Sequence, residues 1–134
     1  MTTPRVPVEI KLHRRSGVLE LVYGGGVSRR LDAEFLRVHS PSAEVKGHGQ
    51  GQEVLQHGKL GVRITAVESV GNYAIRLVFD DGHSSGIYSW NYLLHLHEHQ
   101  AELWQAYLDR LAAAGKSRDA LPPGVQVITI KPPL

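Results

Sequence analysis

The sequence predicts an α+β fold with a mostly antiparallel sheet. Three observations carry this reading. Segments of alternating apolar and polar residues come first, short turn signals join them, and sustained helical periodicity comes only in the last third. A short helix and a long C-terminal helical region are expected to pack on one face of the sheet. Val8 to Leu12 alternates as a half-buried strand does, and Val18 to Tyr23 reads as its partner across a turn at His13 to Gly17. Gly24-Gly25-Gly26 permits positive φ in a tight turn before a short strand over Val27 to Leu31. Asp32 is placed to N-cap a short helix that runs to about Val38.

The stretch from Ser40 to Gly51 holds few apolar residues and several glycines, and reads as a surface loop. A β-meander follows. Leu60 to Val67 alternates, Gly71-Asn72 marks a turn, and Tyr73 to Phe79 alternates again. Asp81-Gly82 suits a type I′ hairpin turn, with Ser84 to Tyr88 as the return strand. Ser89 is the expected N-cap of a helical region that extends to Ala114, with Gly115 just past its end. Trp90, Leu93, Leu94, His97, Ala101, Trp104, Leu108 and Leu111 form its apolar stripe, and the polar cluster His95 to Gln100 marks a break between two helices. Beyond Pro122-Pro123-Gly124, Val125 to Ile130 reads as an edge strand or a loose tail.

Composition narrows the chemistry. At 134 residues the chain fits one domain. It has no cysteine, which removes disulfides, thiolate metal sites and a cysteine nucleophile, and suits a cytoplasmic location. The net charge of +2 gives little reason to expect nucleic acid. No apolar run reaches the roughly 20 residues of a membrane span, and the N-terminus has no signal-peptide character.

Gly82-His83-Ser84-Ser85-Gly86 matches the Gly-x-Ser-x-Gly pattern of serine hydrolases. That pattern needs a strand, a sharp turn and then a helix; here it sits on a hairpin and reads as turn residues. His95 and His99 stand at i and i+4 and would share a helical face suited to zinc, nickel or copper, while His97 points elsewhere. His48, between two glycines, and His57 are further histidines that could join a metal site. No histidine has Asp or Glu two residues on, so the facial triad of non-haem iron enzymes is missing.

Leu36-Arg37-Val38-His39-Ser40-Pro41-Ser42-Ala43-Glu44-Val45-Lys46-Gly47-His48-Gly49 is followed by Gly71-Asn72-Tyr73-Ala74-Ile75-Arg76-Leu77, by Phe79-Asp80-Asp81-Gly82-His83 and by Gly86-Ile87-Tyr88-Ser89-Trp90 with Tyr92-Leu93. In that order these blocks resemble the gamma-butyrobetaine hydroxylase-like N-terminal domain family, or domain of unknown function 971. The resemblance covers about residues 5–115, with 116–134 left as a tail. It implies a small α+β domain. In carnitine-synthesis dioxygenases that domain precedes a catalytic jelly roll and holds structural zinc through three cysteines and a histidine. It also occurs fused to P-loop scaffold ATPases of iron–sulfur assembly and as a stand-alone bacterial protein, the type this chain resembles.

The zinc pattern fails residue by residue. Its cysteines fall on Ser40, Ser42 and Val45, and only its histidine, at His83, is kept. Hydroxyls are poor zinc ligands and valine is none, so no zinc is expected at this position. The Ser40–Ser42 loop is expected to be held by hydrogen bonds instead, with His83 bonding into it. The dioxygenase chemistry does not carry over, because its iron ligands belong to the jelly roll. The expectation is therefore a non-catalytic accessory module without cofactor. It would contact a protein partner, such as an iron–sulfur maturation factor or an oxidoreductase, through a loop comprising Ser40, Ser42, Glu44 and His48 and the neighbouring His83 hairpin. The alternative is a small metal-binding protein that uses His83, or His95 with His99, for zinc. The oligomeric state is not readable.

Overall fold

Two antiparallel ladders, each of three strands, carry the first two-thirds of the chain in the computed structural model, which describes residues 6–47 and 53–119. The first sheet is β1 (Glu9–His13), β2 (Val18–Val22) and β3 (Ser28–Asp32), in that order. Leu19 and Leu21 point to one face of the central strand and are fully buried, opposite Leu12, Leu31 and Ile10 in register. The second sheet is β4 (Ile64–Val70), β5 (Ala74–Phe79) and β6 (Ile87–Ser89). Ile75, Leu77 and Phe79 alternate inward along β5, as the period of two requires.

Between the sheets the chain forms α1 (Ala33–Val38) and the single turn α2 (Ala43–Lys46). After them come α3 (Trp90–Glu98) and α4 (Gln100–Ala114), broken at His99. Both sheets, Phe35 and Leu36 of α1 and Leu93 and Leu96 of α3 meet in one core. Tyr107 and Leu111 of α4 pack with Val38 in a smaller cluster. The class is α+β and antiparallel, as the sequence predicts, but the strands divide into two sheets.

Local signals place several elements. Ser89 Oγ accepts from the Tyr92 amide at 3.1 Å and caps α3. Gly115, at φ 65°, ends α4 in the left-handed region. Asp32 occupies the N-cap of α1, although its side chain makes no capping bond.

Other expectations are corrected. β4 starts at Ile64 rather than Leu60, because Lys59 to Val62 closes a turn (Val62 N–H to Lys59 O, 3.0 Å) and Leu60 N–H bonds to Arg118 O at 2.9 Å. The Asp81-Gly82 turn is not type I′, which needs positive φ at both residues; only Gly82 has it. Instead Asp80-Asp81-Gly82 forms a three-residue loop, with Gly82 N–H to Phe79 O at 3.2 Å and Phe79 N–H to His83 O at 2.9 Å. The return strand begins at Ile87, because Ser85 and Gly86 are engaged by α2 and Ser40.

The expected surface loop is also revised: Ser40, Ser42 and Val45 are buried around α2. The break at His99 turns the helical stripe, so Leu96 and Tyr107 are buried while Ala101 is exposed. Ser117 and Arg118 are tied to Gly58 and Leu60 through their carbonyls. The proposed strand at Val125 to Ile130 lies outside the described residues, as does His48. Among the described residues, no helix is long and apolar enough to cross a membrane.

Candidate functional site

The loop after β5 delivers His83 to the buried side of α2. Its side chain is 2% exposed. Nε2 lies 2.8 Å from Ser40 Oγ and 3.4 Å from Ser42 Oγ, and Nδ1 lies 3.0 Å from Glu44 Oε2. A carboxylate only accepts, so Nδ1–H donates to Glu44. That leaves the Nε2 lone pair to accept from the Ser40 hydroxyl. Glu44 Oε1 accepts from Ser85 Oγ at 3.2 Å, which joins α2 to the segment before β6. The juxtaposition of His83 with the Ser40–Ser42 loop is therefore present and close.

A second carboxylate braces the hairpin. Asp81 Oδ1 accepts the His83 amide at 3.1 Å, and Oδ2 accepts Arg37 Nε at 2.8 Å and Lys59 Nζ at 2.6 Å. Burial pushes the Asp81 carboxyl upward, but Lys59, the His83 amide and Arg37 outweigh it and hold it below its ordinary value. His83 is lowered, first by burial and then by the Arg37 charge, against the opposing pull of Glu44 and Asp81. The imidazole is thus neutral near pH 7.

Ser40, His83 and Glu44 follow the order hydroxyl, imidazole, carboxylate that activates a nucleophile. Access decides what the order can do. Ser40 is 1% exposed, its hydroxyl is turned to His83, and a Cβ at Gly86 would overlap Oγ. Glycine at position 86 is what lets the backbone close over that oxygen. Tyr88, beside it, sends its hydroxyl 2.5 Å to Leu36 O and pins α1 from below. The hydroxyl is packed as a structural tie, with no room beside it for a reacting carbonyl.

The donor set does not fit structural zinc. Two neutral hydroxyls and a valine stand where three thiolates would be needed, and the Nε2 lone pair already accepts a hydrogen bond. Among the described residues no group of three or more His, Asp or Glu is arranged to hold a metal ion.

The other histidines separate. The rings of His95 and His99 lie 4.8 Å apart between centroids, and His99 Nδ1 is 3.7 Å from Glu102 Oε2. His97 turns away and meets Arg29 Nη1 at 3.0 Å through Nδ1. His57 is exposed. The sequence reading missed Asp81, Arg37, Lys59 and Ser85, whose roles arise only from contacts between distant segments.

The family described as gamma-butyrobetaine hydroxylase-like, N-terminal, matches residues 10–94. Two proteins with solution structures determined by NMR resemble the chain over nearly all its length. One is 51% identical, with a TM-score of 0.76 over 95% of this chain and 100% of that one. The second is 45% identical, with a TM-score of 0.74 over 96% and 99%. A third structure, a crystal structure at 1.93 Å, is of a protein of unknown function from Acidithiobacillus ferrooxidans ATCC 23270 that belongs to the domain of unknown function 971 family. It is 36% identical, with a TM-score of 0.55 over 72% of this chain and 98% of that one. No curated protein matches the chain.

Proposed function

The chain belongs to the gamma-butyrobetaine hydroxylase-like N-terminal family, and from that premise we propose that it acts as a non-catalytic binding module for a protein partner. One observation carries the reading: a hydrogen-bonded knot of Ser40, Ser42, Glu44 and His83 occupies the place where the family resemblance puts zinc. The knot ties α2 to the hairpin through hydrogen bonds among its own side chains, which supports a reading without a cofactor, and it buries the hydroxyl that a hydrolase would have to expose.

Its outer rim is available. The Glu44 side chain is 69% exposed, and Ile87, on the short edge strand β6, is 47% exposed. An exposed carboxylate bonded to Ser85 and, two residues on, an exposed apolar side chain on a strand edge suit a protein surface, which could pair with the edge. The family's fusions favour an iron–sulfur maturation factor or an oxidoreductase as that partner, and the lack of cysteine favours the cytoplasm.

The test compares partners cross-linked to wild type, to Glu44→Lys/Ile87→Lys and to a control, Arg15→Glu, in its own cell extract. A partner held by wild type and by the control, and lost in the double variant at unchanged melting temperature, is the expected result. Partners indifferent to the double variant overturn the surface. Ester hydrolysis that disappears in Ser40→Ala overturns the non-catalytic reading, and about one zinc per chain retained through His83 overturns the metal-free knot.

A further inference from the structure

A cleft of about 590 Å3 opens on another part of the molecule, where α3 gives way to α4 beside the start of α1. Its volume lies within the range of small-molecule sites, roughly 300–1,000 Å3. Asp32, Glu34 and Phe35 line it from the β3–α1 junction, and Glu98, Trp104 and Arg118 from the later segments of the chain. The aromatic wall is continuous, with Phe35 and Trp104 centroids 6.3 Å apart.

The fold already seats one guanidinium here. Arg118 stands 5.0 Å from the Trp104 ring centroid and donates to both oxygens of Glu34, at 2.8 and 2.7 Å. That is the geometry by which an aromatic face and a carboxylate together recognise a planar cation. Glu34 and Arg118 cancel in charge. Asp32 and Glu98 do not: neither carboxylate has a hydrogen bond or salt bridge among the described residues, and Glu98 is felt only as a charge by the adjoining His97.

The lining thus carries a formal charge of −2 on a chain whose total is +2. The amino terminus of α4 faces the same cleft and contributes about half a positive charge, too little to cancel two carboxylates. The α1 amide at Ala33 is already used by Gly17 O, at 2.8 Å. Arg29 bonds to His97 and is not part of the wall; counting its full charge still leaves the balance negative.

We infer that this cleft binds a ligand bearing an alkylguanidinium group, its cation held by Asp32 and Glu98 and its body against Phe35 and Trp104. The site is separate from the His83 knot, so either reading can fail alone. The same group could arrive as a free small molecule or as an arginine side chain of a protein, and the probes distinguish the two.

The intact chain is titrated with butylguanidinium, with the capped peptide acetyl-Gly-Arg-Gly-amide and with sodium butyrate, following the Trp104 indole N–H resonance. A saturable shift with the cations and none with butyrate is expected, weakened by added salt. Tighter binding of the peptide assigns the group to a protein ligand; tighter binding of butylguanidinium assigns it to a free molecule. The Asp32→Asn/Glu98→Gln variant should bind about tenfold more weakly. Its melting temperature should not move, because both carboxylates are exposed and Asp32 makes no capping bond. An equal shift with butyrate, no saturable shift with either cation, or unchanged affinity in the double variant overturns the proposal.

Discussion

His83 and the His95–His99 pair are the two places where this chain gathers metal-ligating side chains, and they are used in opposite ways. His83 is buried, and both its ring nitrogens are committed to protein oxygens. His95 and His99 stand side by side on the outside of the α3–α4 break, where His99 has only a long approach to Glu102. An imidazole stabilises a fold when its environment uses up its donor and acceptor, and stays open to a ligand when its environment leaves them free. Spacing in the sequence does not separate these cases. His95 and His99 are neighbours by helical geometry alone, whereas His83 meets Ser40 across 43 residues.

The sharpest way to break the contrast is to delete each imidazole. His83→Ala strands the Ser40 hydroxyl in a buried space and opens a void behind α2. It should cost about 3 kcal/mol, or about 10 °C in melting temperature, measured by denaturant and thermal unfolding. The same contact sets a pH dependence. The folded-state pKa of His83 is lowered by burial and by Arg37, so the folded protein binds its proton less readily than the unfolded chain. Its contribution is fully present above the unfolded value of about 6.5 and is lost as pH falls below that. His39, lowered by its own burial, acts in the same direction. Stability should therefore decline from pH 7 towards pH 5 in wild type, and less steeply in His83→Gln. An equal slope in both would remove His83 from the knot's energetics.

A smaller effect tests whether Gly86 is part of the same tie. Gly86→Ala places a methyl group against Ser40 Oγ, with the Tyr88 ring at 3.1 Å, and should destabilise by about 2 kcal/mol. Ser40→Ala alone removes the buried bond to His83 and the long one from the Ser42 amide, and should cost about 1 kcal/mol. Because the two changes meet at one oxygen, the double variant should fall about 1 kcal/mol short of their sum. Strict additivity would mean that the backbone at Gly86 yields without disturbing Ser40.

How much of this was legible depends on how local the cause is. Ser89 and Gly115 were readable because a cap is decided within one turn of helix, and the alternation of Ile75, Leu77 and Phe79 because a strand face is decided by a period of two. The burial of Ser40, Ser42 and Val45 was not, since the loop's composition is polar and what covers it is a hairpin some 40 residues away. The late start of β6 has the same origin, because Ser85 and Gly86 are drawn off the ladder by Glu44 and Ser40. The family resemblance pointed to Ser40, Ser42 and His83 as neighbours, and they converge through hydrogen bonds. The cleft beside Trp104 had no sequence signature, because Glu34 and Arg118 stand 84 residues apart.

The smallest expected effect on stability belongs to the exposed pair, and it is the more discriminating for that. His95→Ala/His99→Ala should leave unfolding within about 0.5 kcal/mol of wild type, as surface substitutions without committed partners do. The same change should abolish retention of the tag-free protein on immobilised nickel, since two imidazoles one helical turn apart can share an ion that neither holds alone. His83→Ala, assayed while folded, should be retained like wild type because its ring never reaches solvent. If the double variant instead unfolds easily, the pair supports the α3–α4 break and the contrast with His83 collapses into two structural sites. If His83→Ala also loses nickel retention, the knot opens often enough in solution to expose a ligand. Retention and stability therefore have to separate between the two clusters, retention responding to the His95/His99 pair and stability to His83 alone.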